Sequence, residues 1–436
     1  MSVIDHPLHC LPKYGDGIGL HRVRFLMESC GLDAEDISRR AIAITGSNGK
    51  GSTARIASEL LSASGGGAVG LFTSPHLYRY NERFRIDGEP VDDARLLAAM
   101  DKVAHAVDQY AARHPDKIGA FEAQFVVALD VLRDCRWLVL EAGVGGRYDP
   151  VRCARAPVST IVSLDLEHTE LLGKTLLEIA LDKLDATAPG GIAVLGESCL
   201  PFAEQIRAVA ALSGIAVEFV QPEQWKDRGV RDGKQLFDIG DWRDLASPLV
   251  GRHQINNHAV AIAAVRERLK RATPFADAER HWKDAIARVA WPGRLETISR
   301  DPLVVIDVGH TPEGIKTALA GFRAISDSRP AILVTGGSRN KHVREMLELL
   351  TPGFDRILCT AAYHNGLAAS EVEAIVGSFR PDAKTTLCPT IEDAASVARA
   401  EATQSGHAVY AAGGLFLAAE FAEAWRGGTP SKLRFF

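Results

Sequence analysis

One stretch constrains the fold more than any other. The apolar run Ala41-Ile42-Ala43-Ile44-Thr45 leads directly into Gly46-Ser47-Asn48-Gly49-Lys50-Gly51-Ser52, and Thr53 to Ala63 then carries apolar residues at helical spacing. A buried strand feeding a helix through a glycine-rich turn is the opening of a parallel βαβ unit. Such a turn exposes backbone N–H groups at the start of the helix, where the dipole favours phosphate, and Lys50 adds a point charge. The spacing departs from the common GxxxxGK[ST] loop, because Ile44 stands where that form has its first glycine and Gly51 follows the lysine.

The alternation continues along the chain. Ala68 to Phe72, Trp137 to Glu141, Ser159 to Leu164 and Ile192 to Leu195 read as further strands with helices between them. From about 221 to 250 the pattern turns polar and irregular, which predicts peripheral strands or loops. Asn256 to Lys270 and Asp277 to Val289 read as helices, and Ala290-Trp291-Pro292-Gly293-Arg294 has the turn chemistry of a boundary. A second βα series follows, with strands near 303–307, 331–334, 356–359, 384–387 and 408–411. The expected fold is therefore α/β. A P-loop-type N-terminal ATPase domain with a mostly parallel sheet spans 1–290, and a smaller, doubly wound, Rossmann-like C-terminal domain spans 291–436.

Composition excludes several classes of function. Across 436 residues, 50 basic and 55 acidic side chains leave a net charge of -5, so neither nucleic acid nor an anionic membrane is the expected partner. The N-terminus lacks a basic region followed by an apolar run, and no span of about 18 apolar residues occurs, which predicts a cytoplasmic protein. The seven cysteines contain no CxxC and fit reduced core thiols better than disulfides or a zinc site.

The glycine-rich loop, in the form GxNGKGS, is followed by Thr73-Ser74-Pro75-His76-Leu77-Tyr78-Arg79-Tyr80-Asn81-Glu82-Arg83, close to an SPHLxRYxER motif. Glu141-Ala142-Gly143-Val144-Gly145-Gly146-Arg147-Tyr148-Asp149 is similar to ExGLGGRLD, and Trp291-Pro292-Gly293-Arg294-Leu295-Glu296 is similar to WPGRLE. In this order the set resembles the folylpolyglutamate synthase and dihydrofolate synthase family, ATP-dependent amide ligases of the Mur ligase superfamily. The resemblance spans nearly the whole chain.

It implies a site residue by residue. Asn48, Gly49, Lys50, Gly51, Ser52 and Thr53 would cradle the phosphates of ATP, Asn257 of the GRHQINNHA segment would lie by the adenine, and Asp307 would meet the ribose. Lys50 and Arg294 would stabilise charge on the γ-phosphate, with Arg294 coupling domain closure to catalysis. Mg²⁺ would be held by Ser74, by Glu122 of an FE motif and by His168 of Glu167-His168-Thr169, where the family has DHT. Lys183 matches a lysine carbamylated in the family, which would hold a second Mg²⁺; the usual flanking EKAGI is lost. His310 would stand near the phosphates or the incoming amino acid. Gly19, Arg79, Arg83, Phe121 and Lys341 would face the substrates.

The departures gather towards the C-terminus. DGAHNP has become Asp307-Val308-Gly309-His310-Thr311-Pro312, the aspartates around Lys341 are missing, and Ala412-Gly413-Gly414-Leu415-Phe416 replaces a GSLYL segment. The reaction implied is attack of a substrate carboxylate on the γ-phosphate, then capture of the acyl phosphate by an amine. The small-molecule partners would be a carboxylic acid, dihydropteroate or a folate, and L-glutamate, used by a monomer. Two alternatives stand beside it. One is a ligase joining an amino acid to a non-folate acid in a specialised pathway, and the other is an ATP-binding regulator that has lost ligation.

Overall fold

The structure, a computed structural model, describes residues 2–272, 277–339 and 343–435. Three sheets organise it. The first holds eight strands: β1 (Ala41–Thr45), β2 (Val69–Phe72), β3 (Phe84–Ile86), β4 (Glu89–Pro90), β5 (Trp137–Glu141), β6 (Val158–Ile161), β7 (Ile192–Leu195) and β8 (Ala216–Phe219). Their spatial order is β4-β3-β2-β5-β1-β6-β7-β8, with the β2–β3 and β3–β4 pairings antiparallel and all others parallel.

The sequence of β1 shows why this sheet is covered on both faces. Ala41 and Ala43 pack into a core with the helices Leu20–Ser29, Asp93–Ala111 and Ala120–Val131, whereas Ile42 and Ile44 pack into a second core with Lys50–Ser64, Arg252–Lys270 and Trp282–Arg288. All five residues are buried, as a continuous apolar run in a central parallel strand requires.

The polar stretch read as strands or loops forms a separate antiparallel sheet of β9 (Trp225–Arg231), β10 (Lys234–Ile239) and β11 (Trp242–Ser247). The third sheet contains β12 (Glu296–Arg300), β13 (Leu303–Asp307), β14 (Ala331–Thr335), β15 (Arg356–Cys359), β16 (Lys384–Leu387) and β17 (Ala408–Ala412). Its order is β12-β13-β17-β14-β15-β16, parallel except for β12, with helices on both faces. The α/β architecture, with one large mostly parallel sheet and a smaller doubly wound one, is as expected. Four strands were not foreseen, among them β8, the edge strand at Ala216–Phe219. β3 and β4 form a short hairpin directly after the SPHLYRYNER segment, and β12 begins within WPGRLE; short edge strands carry too little periodicity to be read.

Parallel order decides where function can sit. The carboxyl ends of β1, β2, β5 and β6 lie at one edge, so the loops after them share a crevice. Among the described residues no helix is long and apolar enough to cross a membrane.

Candidate functional site

The glycine-rich loop leaves β1 and turns sharply into the helix Lys50–Ser64. Gly49 has φ 84°, and a Cβ there would meet Asn257 Oδ1 at 2.6 Å, so glycine serves both the left-handed turn and the close approach of Asn257. The loop is tied to the one after β6: Ser47 N–H donates to Ser163 O at 2.8 Å, Asn48 N–H to Ser163 Oγ at 2.8 Å, and Asp165 N–H to Ser47 Oγ at 3.0 Å. Lys50 Nζ donates to the carbonyls of Gly46 and Ser47 at 2.7 and 3.2 Å. Ser52 accepts from Gln254, which in turn accepts from Asn257 Nδ2 at 2.9 Å. The buried Thr53 hydroxyl has no hydrogen-bond partner among the described residues. Asn48 to Thr53 and Asn257 are thus brought together.

The electrostatic centre is Glu141, at the end of β5. Register places Ile44 of β1 opposite Glu141 and Phe72 of β2 opposite Leu140, which sets the loops after β1 and β2 on either side of this carboxylate. Ser74 N–H donates to Glu141 Oε2 at 3.0 Å. Burial pushes the Glu141 carboxyl up to about 7, against the opposing pull of Lys50, the Ser74 hydrogen bond, Arg294 and Arg83. One buried carboxylate therefore stands in the field of three cations. A cavity of about 60 Å³ opens here, lined by Ser74, His76, Glu141 and Arg294 together with Val308 and Leu415 from the other half of the chain.

Glu122, expected beside Ser74 as a magnesium ligand, does something else. Its carboxylate accepts from Arg22 Nε and Nη2 at 2.9 and 2.8 Å and from Gly119 N–H at 2.7 Å. Arg22 is fully buried and needs this countercharge, together with Asp116. Gly19 belongs to the same lock, because a Cβ there would fall on Glu122 Oε1. Phe121 lies over the Gly143 backbone, where an added Cβ would meet its ring at 2.7 Å. The carboxylate that meets Ser74 is Glu141, which the sequence placed at the end of a strand and the head of a glycine-rich motif without marking it as a ligand. The signal available was its position at the end of the strand before that motif.

The two motif arginines also part company. Arg83 is buried and donates to His76 Nδ1 and Gln124 Oε1, both at 2.8 Å. Arg79 is instead 72% exposed, 3.4 Å from Asp93, and lines an outer cavity of about 490 Å³ that no residue of the phosphate loop reaches. The cause is the turn of 3₁₀ helix Tyr80–Arg83 that separates them.

His168, at φ 44°, begins the short helix Thr169–Leu172. Beside it, Glu167 accepts from the buried Lys183 Nζ at 2.9 Å, and Lys50 acts electrostatically on both. Burial lowers the Lys183 pKa, with Lys50 adding to the shift. A carbamate on Lys183 would set its own negative charge against Glu167. Unmodified, Lys183 is the ion-pair partner of Glu167.

In the third sheet, Asp307 is buried at the end of β13, and its two oxygens accept from Leu295 N–H at 3.0 Å and Gly309 N–H at 2.7 Å. It thereby holds the turn carrying Arg294, whose charge acts on Asp307, Glu141 and His253. His310 Nδ1 lies 3.4 Å from Val308 O on an exposed turn, and Thr311 caps the helix Pro312–Ile325 through Gly314 N–H. Lys341 lies outside the described residues.

A donor set for magnesium is present in outline. Among the described residues no three His, Cys, Asp or Glu side chains gather to hold a metal. Magnesium bound with nucleotide needs only one or two protein ligands beside phosphate oxygens and water, and the Ser74 hydroxyl and Glu141 carboxylate are hard oxygens of that kind.

Comparison with known proteins gives a consistent result. Residues 293–415 match the Mur ligase, glutamate ligase domain family. The chain is 31% identical to folylpolyglutamate synthase of Lacticaseibacillus casei, over 80% of this chain and 82% of that one. It superposes with a TM-score of 0.82 on Mycobacterium tuberculosis folylpolyglutamate synthase complexed with ADP and AMPPCP, at 26% identity and 96% coverage of both chains. An FPGS–AMPPCP–folate complex matches with a TM-score of 0.76 at 27% identity, covering 94% of this chain and 96% of that one.

Proposed function

The chain belongs to the folylpolyglutamate synthase and dihydrofolate synthase family of ATP-dependent ligases, and from that premise we propose that it joins L-glutamate to dihydropteroate or a folate through an acyl phosphate. The observation that carries this reading is the buried Glu141 carboxylate in the field of Lys50, Arg83 and Arg294, in a cleft walled by both halves. Lys50, Arg83 and Arg294 all act on this one carboxylate, and an incoming triphosphate and acid would meet the same three cations.

In this reading the phosphates lie on the loop N–H groups, and Lys50 turns from the Gly46 and Ser47 carbonyls towards the β- and γ-phosphates. The acid carboxylate attacks the γ-phosphorus and ADP leaves, while Lys50 and Arg294 meet the charge developing on the transferred group. The glutamate amine then attacks the acyl phosphate carbonyl and phosphate departs, a far better leaving group than hydroxide. Ser74 and Glu141 would hold magnesium, with His168 beside the same loop, and the bound ion would neutralise phosphate oxygens. We assign His310, on its exposed turn, to the side from which the amine approaches.

A second reading, a ligase for a non-folate acid, draws on one feature of the C-terminal half. Thr311, where the family has asparagine, is spent on capping a helix. The test is ADP release by the purified protein with ATP, Mg²⁺ and L-glutamate. Turnover that depends on dihydropteroate or a tetrahydrofolate is the expected result. Silence with both, but turnover with another acid, transfers the assignment to the second reading; silence with every acid leaves a nucleotide-binding regulator.

A further inference from the structure

After the helix Leu415–Trp425 and the short turn Pro430–Lys432, the chain runs back across the cleft between the two halves. Phe435, 1% exposed, is seated in an aromatic nest drawn from both. Its ring centroid lies 4.7 Å from His364 and 4.8 Å from Phe416, and it stacks at 6.4 Å, 12° from parallel, on His76 of the first half. His76 is bound through both ring nitrogens. Nε2–H donates to Arg434 O at 2.6 Å, and Nδ1 accepts from Arg83 Nε–H at 2.8 Å. This pattern requires a neutral imidazole, and burial together with Arg83 lowers its pKa to about 3.

The segment also reaches Arg83 directly, since Phe435 O accepts from Nη2 at 3.4 Å. Among the described residues every direct partner of this guanidinium is neutral: His76, Gln124, the Phe435 carbonyl and the Tyr80 ring. Among the described residues no carboxylate forms an ion pair with it, although it is only 7% exposed. A buried cation without a countercharge is costly, and an anionic ligand removes the cost. Glu141 and Glu82 act on it only from a distance. Arg83 is therefore held in place by neutral groups and left to bind an anion.

We propose that Leu433–Phe435 is a clasp between the halves, anchored by Phe435, that positions Arg83 to receive a carboxylate of the incoming amino acid. The amino acid is preferred over the acyl acceptor because the anchor's ring partners, His364 and Phe416, lie within and directly after the region matching the glutamate ligase domain. This rests on the ligase reading above. Phe435 is a positioning residue, since it acts through Arg83 and His76.

The test is steady-state ADP release by the full chain, comparing wild type with Phe435→Ala, Phe435→Leu, Arg83→Lys and the Phe435→Ala/Arg83→Lys double variant. Phe435→Ala is expected to raise the KM for L-glutamate about tenfold or more while the KM for ATP stays within about twofold, and Phe435→Leu to recover most of the loss. In the double variant, Phe435→Ala should add little to Arg83→Lys, because both act on one contact. If Phe435→Ala does not fold, Phe435→Leu is expected to raise the KM for L-glutamate by a smaller factor than Arg83→Lys, again with the KM for ATP within about twofold, and a rise in the KM for ATP alone overturns the clasp. Equal rises in both KM values, a loss in kcat alone, or additive effects overturn the clasp and leave the ligase reading standing. A wild type without acid- and glutamate-dependent turnover overturns both.

Discussion

The crevice at the first sheet and the matching edge of the third are built alike, from parallel strands ending in glycine-containing loops, yet their charged groups are used differently. At the first, among the described residues, Lys50 is held by two carbonyls, Arg83 by neutral groups, and Glu141 is pushed towards neutrality by burial. At the third, Asp307 takes two backbone N–H groups, and Glu420 takes those of Tyr363 and His364 as well as the His364 ring. Groups satisfied within the protein build a scaffold. Groups left with unspent charge are waiting for a ligand, and that separates the chemical edge from the supporting one.

The sharpest way to break this contrast is to remove the central carboxylate. Glu141→Gln should lower kcat by about 10³-fold or more with the fold intact, because the cations then lose the carboxylate they are arranged around; single-turnover ADP formation and circular dichroism would show it. Arg294→Ala should lower turnover by about 10²-fold with nucleotide binding partly preserved. Unchanged turnover would remove Arg294 from the mechanism. Glu122→Gln is the opposite case, an expected loss of about 3 kcal/mol in stability from stranding buried Arg22, read by urea unfolding, with the nucleotide affinity of the folded protein unchanged.

Acid–base behaviour gives a finer test. Burial pushes the Glu141 carboxyl from its ordinary 4.5 up to about 7 in the folded protein, so between these values the folded state binds the extra proton and stability falls as pH rises. Wild type should therefore lose stability relative to Glu141→Gln from pH 4.5 to 7 and run parallel to it above. Binding of nucleotide with Mg²⁺ should release a proton near pH 6.5, measurable by calorimetry in buffers of different ionisation enthalpy. The smallest effect is expected for Arg79→Ala. Its exposed contact with Asp93 is worth about 0.5 kcal/mol or less, and kcat/KM should not move.

Much of this molecule could be read along the chain. The strand, loop and helix around Lys50 were legible because apolar periodicity and glycine conformation act between near neighbours, and β5 and β7 fell on the residues expected. Ser74, Lys50 and Asn257 likewise stood in motifs whose types matched their surroundings. The misreadings share a cause. Glu122 and Arg79 each sit in a motif beside a residue that does face the cleft, and neither motif says which side chain turns inward.

What the sequence by itself determined was the class of fold, the phosphate loop and the family, since each is carried by local order and spacing. Only the tertiary structure decided that Glu141 rather than Glu122 meets Ser74, that Arg83 turns in while Arg79 turns out, and that Phe435 lies against His76 across most of the chain's length. Such pairings depend on β5 lying between β2 and β1 and on the two halves closing over one cleft. Burial then sets the energies, because a charge removed from water must find its partner wherever the fold has placed one.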